Sequence, residues 1–490
     1  KDRVWKNILV INSEILEEWI ESAPTVGSWL SKHIGKYPEG GIQPTDDFWE
    51  EWISGPRIKL NPRILLGGRE KEKNEILKRT KTSSITIVEG LSREESLAFI
   101  VACFVNSQEH EEDFFSRSII VDHQETFRKL AVHGKPLILI PRFDDEGVVN
   151  RAIQYGHTII IPLGVESSGL GSDKIILPSI ERNSFISALC EAGLSKELAE
   201  KYSKESTRNI SILRRQLEFS RTLPEWAKNE NVIDLIPALI LGRWDENYEN
   251  DRDVVSSLFG DSYENYIGIL ARWIHTHDSP IIKIGSVWRL TSPFDAWMNA
   301  SRYLKLDDFN KLQKTLNTIL AEINPAFELE PEKRHMASIY GKSRTYSQWI
   351  REGIVQSLIL ASIFGDKLRF DLPTSASNWV DKIVFRLLQN HDPLFWKSIE
   401  GLFPLLSEAS PDAFLDALEK GLNAKEPYIT SLFEEEDGLI TSHSYHTGLL
   451  WALEGLAWFP EYFPRATSIL AQLADIDPGG NLQNRPINSL

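Results

Sequence analysis

Between about Leu65 and Pro178 the chain alternates short runs rich in Ile, Val and Leu with longer amphipathic stretches. The apolar runs Ser84–Glu89, Ser118–Asp122, Pro136–Pro141, His157–Leu163 and Lys174–Leu177 lack polar alternation, as expected of strands buried on both faces of a parallel sheet. Helical periodicity falls between them, near Glu70–Arg79, Glu94–Asn106, Gln124–Val132 and Glu146–Tyr155. Such a βαβ series predicts a doubly wound α/β domain. Ahead of it, a short apolar strand over Lys6–Asn12 is followed by one helix over Ser13–His33, with Ser13 as N-cap and Trp19, Val26, Trp29 and Leu30 along one side.

After the α/β stretch, Glu181 to about Phe219 reads as entirely helical, with Phe185, Leu189, Leu194, Leu198, Ile210, Leu213 and Leu217 as its apolar positions. Two further helices, Val254–Phe259 and Ser262–His275, precede a hairpin signal. There Ile281–Ile284 and Val287–Leu290 flank Gly285-Ser286, with glycine where a type II′ turn requires it. Helices followed by a two-stranded wing predict a winged helix. From about Asp307 only helical patterns occur: Asp308–Ile323, Tyr346–Phe364, Asn378–Leu388, Pro393–Leu406, Ala413–Leu422, Thr447–Trp458 and Thr467–Ala474, joined by short turns. Helix pairs of this kind stack into arrays of the HEAT or TPR sort. The divisions expected are therefore 1–36, the tail of an upstream α/β domain; 37–180, the α/β domain; 181–245, a helical lid; 246–306, winged-helix-like; and 307–490, a helical array.

The junction of the Ser84–Glu89 strand with the next helix carries the first chemical information. A nucleotide-hydrolysing protein has G-x-x-x-x-G-K-[ST] there: its backbone N–H groups and lysine hold the phosphates. This chain has Gly90-Leu91-Ser92-Arg93-Glu94-Glu95-Ser96-Leu97. One glycine remains, no lysine is present, and Glu94 and Glu95 would repel an anion.

Composition narrows the classes further. At 490 residues, 42% apolar and 25% charged, the chain can form about three domains with sizeable cores. A net charge of −16 argues against a broad nucleic-acid footprint and against an anionic membrane surface. No apolar run approaches the ~20 residues of a membrane span. Cys103 and Cys190 sit in apolar helical patterns and read as two buried free thiols; they exclude a disulfide framework or a cysteine-based zinc site and fit a reducing cytoplasm. The first residue is lysine, the start has no signal peptide, and the end has no polar tail. The expectation is a segment of a longer protein.

The order of α/β core, helical bundle, winged helix and helical array resembles the STAND class of P-loop ATPases, relatives of AAA+ proteins, in a degenerate form. Ile64-Leu65-Leu66-Gly67-Gly68-Arg69-Glu70 is similar to the G-R-E entry of that class, and Leu198-Ala199-Glu200 through Arg208–Arg215 is similar to its helical lid. The resemblance implies a bacterial anti-phage sensor fused to an effector, and the head, Val10 to Tyr37, is similar to the end of a restriction-endonuclease-like domain. The departure is the missing phosphate loop. Asp122, or Asp144 and Asp145, could stand where such proteins hold Mg²⁺.

Each candidate has a plain reading beside the functional one. Gly90, Ser92, Arg69 and Arg93 could contact an anion, aided by backbone N–H groups at the helix start. Against that, Glu94 and Glu95 read as helix-dipole caps, and Arg69 as a surface charge or sheet-edge packing. Lys283 and Arg289 could touch a phosphate backbone, or simply face solvent. His275-Thr276-His277-Asp278 and His443-Ser444-Tyr445-His446 lack further ligands at metal-site spacing and read as surface or loop histidines. Glu434-Glu435-Glu436-Asp437 reads as a solvated loop or a partner contact. Most of the 15 tryptophans read as core, while exposed ones on the array would suit protein recognition.

Taken together, the sequence favours a cytoplasmic, non-hydrolysing sensor or scaffold that binds a protein partner through its helical array and acts with an upstream effector, as a monomer or an oligomer, with no catalytic residue, metal or cofactor. Two alternatives stay open. One is a divergent NTPase using ATP and Mg²⁺ with Arg69, Arg93, Asp144 and Asp145; the other is a nucleic-acid reader acting through the wing.

Overall fold

The computed structural model describes residues 10–21, 23–34, 41–107, 114–143, 146–164, 174–218, 223–228, 230–274, 276, 278–368, 370, 372–425, 427–436, 443–482 and 484–488. The chain forms two compact units, Lys1–Leu223 with His275–Asp278, and Pro224–Ile274 with Ser279–Leu490.

The first unit is built on a six-stranded sheet. Its strands are β1 (Ile42–Pro44), β2 (Ile85–Glu89), β3 (Ser118–Val121), β4 (Ile138–Pro141), β5 (Thr158–Leu163) and β6 (Lys174–Ile176). Their spatial order is β1-β3-β4-β5-β2-β6. Every neighbouring pair is parallel except β1 with β3, where Ile42 lies opposite Val121. β1 is absent from the hydrophobic pattern because it has only three residues and ends on Pro44, which an edge strand tolerates since it needs no ladder hydrogen bond on its outer side.

Period-two alternation sorts the strand residues onto two covered faces. Val88, Ile120, Ile138, Ile140, Ile160 and Ile175 meet the Arg93–Val105 helix, which is buried without interruption from Glu95 to Phe104. Ile119, Val121, Leu139, Ile159 and Ile161 meet Phe127, Leu130, Val149 and Ala152 from the Gln124–Leu130 and Glu146–Gln154 helices. Helices on both faces of a mostly parallel sheet make this unit doubly wound. Three helices follow the sheet, Arg182–Glu191, Lys196–Glu205 and Ile210–Leu217, the last two starting at Ser195 and Asn209 side-chain caps.

Two readings of the head change. The expected strand over Lys6–Asn12 lies partly outside the described residues, and 10–12 carry no strand. The single Ser13–His33 helix is two helices, Ser13–Glu21 and Pro24–His33, because proline suits a helix start and not its interior. Trp19, Val26 and Trp29 are exposed.

The second unit opens with a short helix at Glu225–Lys228 and a 3₁₀ turn at Glu230–Leu235, followed by the Ile236–Leu241 helix, β7 (Arg243–Asp245) and the Glu249–Phe259 and Tyr263–Ile274 helices. β8 (Ile281–Ile284) and β9 (Val287–Leu290) then form the expected hairpin, with Gly285 at φ +60°. β7 joins it to give an antiparallel sheet in the order β7-β9-β8. Trp244 and Trp288, opposite each other on β7 and β9, stack at 6.1 Å. The rest is helical: Pro293–Ala300, Leu306–Leu320, Gln348–Leu368, Ala376–Leu387, Pro393–Ile399, Phe403–Ala409, Pro411–Leu422, Thr447–Ala457 and Phe463–Ile476 are its longer segments. The one helix expected over Pro393–Leu406 is broken by a 3₁₀ turn at Glu400–Leu402, after which Pro404 opens the next helix.

A buried carboxylate ties this unit together. Asp251 accepts hydrogen bonds from the Ser347 N–H at 3.1 Å, the Ser347 hydroxyl at 2.5 Å and the Asp245 N–H at 3.0 Å. Burial pushes its pKa up, against the pull of those donors. Nearby, the Gln348–Leu368 helix lies backbone to backbone on the end of the Ile236–Leu241 helix. A Cβ on Gly353 would stand 2.2 Å from the Leu241 carbonyl oxygen, and Gly242 takes φ +68°.

Candidate functional site

The turn that would hold phosphate is closed by the protein's own acid. β2 ends at Glu89, Gly90 bends the chain, and Ser92 starts the Arg93–Val105 helix by accepting the Glu95 N–H at 3.1 Å. The Glu95 side chain folds back over this start and accepts the Leu91 N–H at 3.0 Å. Its other oxygen accepts from the Arg69 guanidinium at 2.6 Å. Both side chains are essentially sealed from solvent, Arg69 at 1% and Glu95 at 2% exposure. Arg69 also donates to the Pro178 carbonyl at 2.7 Å and the Leu65 carbonyl at 3.3 Å, and its guanidinium lies over the Phe99 ring at 5.6 Å.

The surrounding groups are engaged as well. Ser96 donates to the Leu163 carbonyl at 2.7 Å, and the Gly90 N–H donates to the same carbonyl at 3.1 Å. A Cβ on Gly90 would stand 2.8 Å from the Ser96 hydroxyl, so glycine is needed here for close approach. Glu94 pairs with Arg214 on the Ile210–Leu217 helix, and Arg214 sits over the Trp52 ring at 5.0 Å. Ser211 of the same helix brings its hydroxyl to 3.5 Å from that of Ser92. Arg93 donates to the Arg142 carbonyl at 3.2 Å.

These placements revise the reading of several residues. Arg69 is not a surface charge; it is buried beside the chain leaving edge strand β6, and it is the cation of the turn, holding Glu95 as its anion. Glu95 does more than complement the helix dipole, because its carboxylate takes both the backbone donor and the guanidinium. A sequence signal for this existed: Ser92-Arg93-Glu94-Glu95 is the S-x-x-E of a capping box. In the usual box the acid returns to the N-cap N–H, whereas here it reaches one residue further back, to Leu91.

Asp122 is held by Arg142 through two contacts, at 2.5 and 2.9 Å, and Arg142 also donates to Gln43 at 3.0 Å. Asp144 and Asp145 lie outside the described residues, as do His275 and His277. A cleft of about 650 Å³ opens elsewhere in this unit, lined by Arg63, Gly67, Gly68, Lys73 and Ser184 among others. Its cations are already compensated, Arg63 by Glu191 at 2.7 Å and Lys73 by Glu70 at 3.4 Å.

In the second unit, Lys283 lies opposite Trp288 and Arg289 opposite Ile282, so the two cations project from opposite faces of the hairpin. Lys283 is bound to Glu246 at 2.6 Å and rests 5.2 Å from the Trp288 ring centre. They do not form one basic surface. His446, read as a loop histidine, is a core residue stacked on Phe433 at 4.9 Å. The acidic run is structural where it is described. Glu435 accepts from the Asn481 and Leu482 N–H groups at 2.9 and 2.8 Å, and Glu436 pairs with Lys397 at 3.3 Å and with Arg334. Cys103 is buried, with its thiol pKa pushed up by burial, whereas Cys190 is partly exposed. Among the described residues no group of three His, Cys, Asp or Glu is placed to hold a metal, and no helix is long and apolar enough to cross a membrane.

No protein-family model matches the chain, and no curated protein matches it.

Proposed function

We propose that this chain is the non-hydrolysing regulatory and sensing body of a larger bacterial protein of the STAND-like kind, one whose phosphate place is filled by its own carboxylate. The observation that carries this reading is the sealed Arg69–Glu95 pair, which occupies the guanidinium and the Leu91 N–H that an entering phosphate would need. A phosphate would have to displace a buried group of its own charge.

The position of the turn supports the reading. β2 lies between β5 and β6, the chain leaves it along one face of the sheet, and the Gln124–Leu130 and Glu146–Gln154 helices return along the other. The carboxyl end of such a strand is the switch point at which open α/β sheets take ligands. In the second unit, the succession of helix, β7, two helices and hairpin supports a winged helix, and the packed helices beyond Leu306 support a HEAT- or TPR-like partner-binding array. Signalling by such a body is a population shift: a partner on the array favours one arrangement of domains and so governs an effector. The setting is the cytoplasm.

The test uses labelled ATP with Mg²⁺ on the intact chain and on a Glu95→Ala variant. The native chain is expected to show neither saturable binding nor turnover, while the variant, with Arg69 and the Leu91 N–H released, gains measurable phosphate or ATP binding. Micromolar binding with turnover by the native chain overturns the proposal.

A further inference from the structure

The Thr447–Ala457 helix and the turn that follows it expose four large aromatic side chains that the core does not need. The Thr447–Ala457 helix already buries Leu449, Leu450, Leu453 and Leu456. On its outer side Trp451 is 62% exposed and Trp458 81%, and in the turn and helix start that follow, Phe459 is 56% and Phe463 54% exposed. Trp458 keeps right-handed helical geometry, so a spacing of seven residues sets the two indoles on one stripe, about 10 Å apart along the axis. Gly455 lies between them on the same face, and the space above it is open. The stripe is therefore two aromatic walls with a gap.

Charge says what fits the gap. From Thr447 to Pro464 the chain carries Glu454 and Glu461 and no Lys or Arg. Both acids are exposed. The next cation, Arg465, is spent on three carboxylates, bonding Asp412 at 3.1 Å, Asp416 at 2.6 Å and Glu419 at 2.9 Å, which leaves that cluster at a formal −2 (one positive, three negative). Tyr462, between the two helices, has its pKa raised by burial first and then by the Asp412, Glu461 and Asp381 carboxylates, with Arg465 opposing them. A second copy would bring the same acids and another net −16, and an anionic lipid surface would be repelled for the same reason.

We infer that this face docks a basic, Arg- or Lys-bearing segment of a protein partner, whose cationic groups lie on Trp451 and Trp458 and pair with Glu454 and Glu461. Cation–π contact, strongest on tryptophan, and charge pairing are then used together. The inference rests on the reading of the helical region as the partner-binding part.

The experiment pans a random peptide display library against the intact chain, then measures the selected peptides by fluorescence anisotropy. Native chain, a Trp451→Ala/Trp458→Ala variant and a Glu454→Lys/Glu461→Lys variant are compared, with circular dichroism melts as a folding control. Peptides with a cationic excess are expected, binding about tenfold or more weakly to each variant and weakening with salt. Selection of neutral or acidic peptides, unchanged affinity in the charge-reversed variant, or a monomer–dimer equilibrium abolished by the tryptophan variant each overturns the inference. Peptides that bind both variants as well as the native chain remove this surface and leave the partner-binding reading standing; failure to select any peptide removes both.

Discussion

At the scale of single residues, the Arg69–Glu95 pair is an ion pair sealed from solvent. A buried ion pair adds little net stability relative to apolar side chains of the same size, but removing one partner leaves an uncompensated charge. Arg69→Met is therefore expected to destabilise the first unit by about 3–5 kcal/mol, and Arg69→Met/Glu95→Leu by much less. Chemical denaturation followed by far-ultraviolet circular dichroism measures both; equal losses would show that the arginine matters for its stem and not for its charge. The sequence displayed both residues, but 26 positions separate them and no periodicity links them. Only the bend at Gly90 brings them together. The single glycine, the missing lysine and the S-x-x-E pattern were legible; the partner of the acid was not.

At the scale of elements, those with a clear periodicity or apolar run of their own were read most surely. The Glu70–Arg79 helix falls where its periodicity placed it, and β2 to β6 agree with their Ile- and Val-rich runs to within one or two residues at each end. Two of the three-residue elements escaped notice: β1 and β7 are strands because of what they pair with, not because of their own pattern, whereas β6 carried its own apolar run. Glycines show the same dependence on distant contacts. Gly353 sits inside a 21-residue helix, where alanine would ordinarily be favoured, yet a Cβ there would collide with the Leu241 carbonyl. Gly353→Ala is expected to cost about 1–3 kcal/mol despite its better helix propensity, read as a lower midpoint in denaturant. A gain in stability would mean that the two backbones are free to separate.

At the scale of the whole molecule, both units are expected to weaken in mild acid. His157 accepts the Leu137 N–H at 3.0 Å in the first unit, and His446 is held between the Ser444 hydroxyl, at 2.8 Å, and the Asn484 carbonyl in the second. Burial, first among the causes, lowers both below the ordinary 6.5. Because the unfolded chain takes up these protons first, stability is full above about pH 6.5 and falls as the pH drops through the lower folded values. Thermal melts from about pH 7.5 to about pH 5 should show this decline, and His157→Leu should flatten its share while lowering stability at neutral pH by about 1–3 kcal/mol. A flat profile in the native chain would refute it.

The clasp formed by Asp251 and Ser347, with the bare backbones of Leu241 and Gly353 in contact beside it, fastens the β7-β9-β8 sheet to the head of the longest helix. Force applied to the head of that helix therefore reaches the sheet through both contacts at once, and at this joint the two should move as a lever and not as a spring.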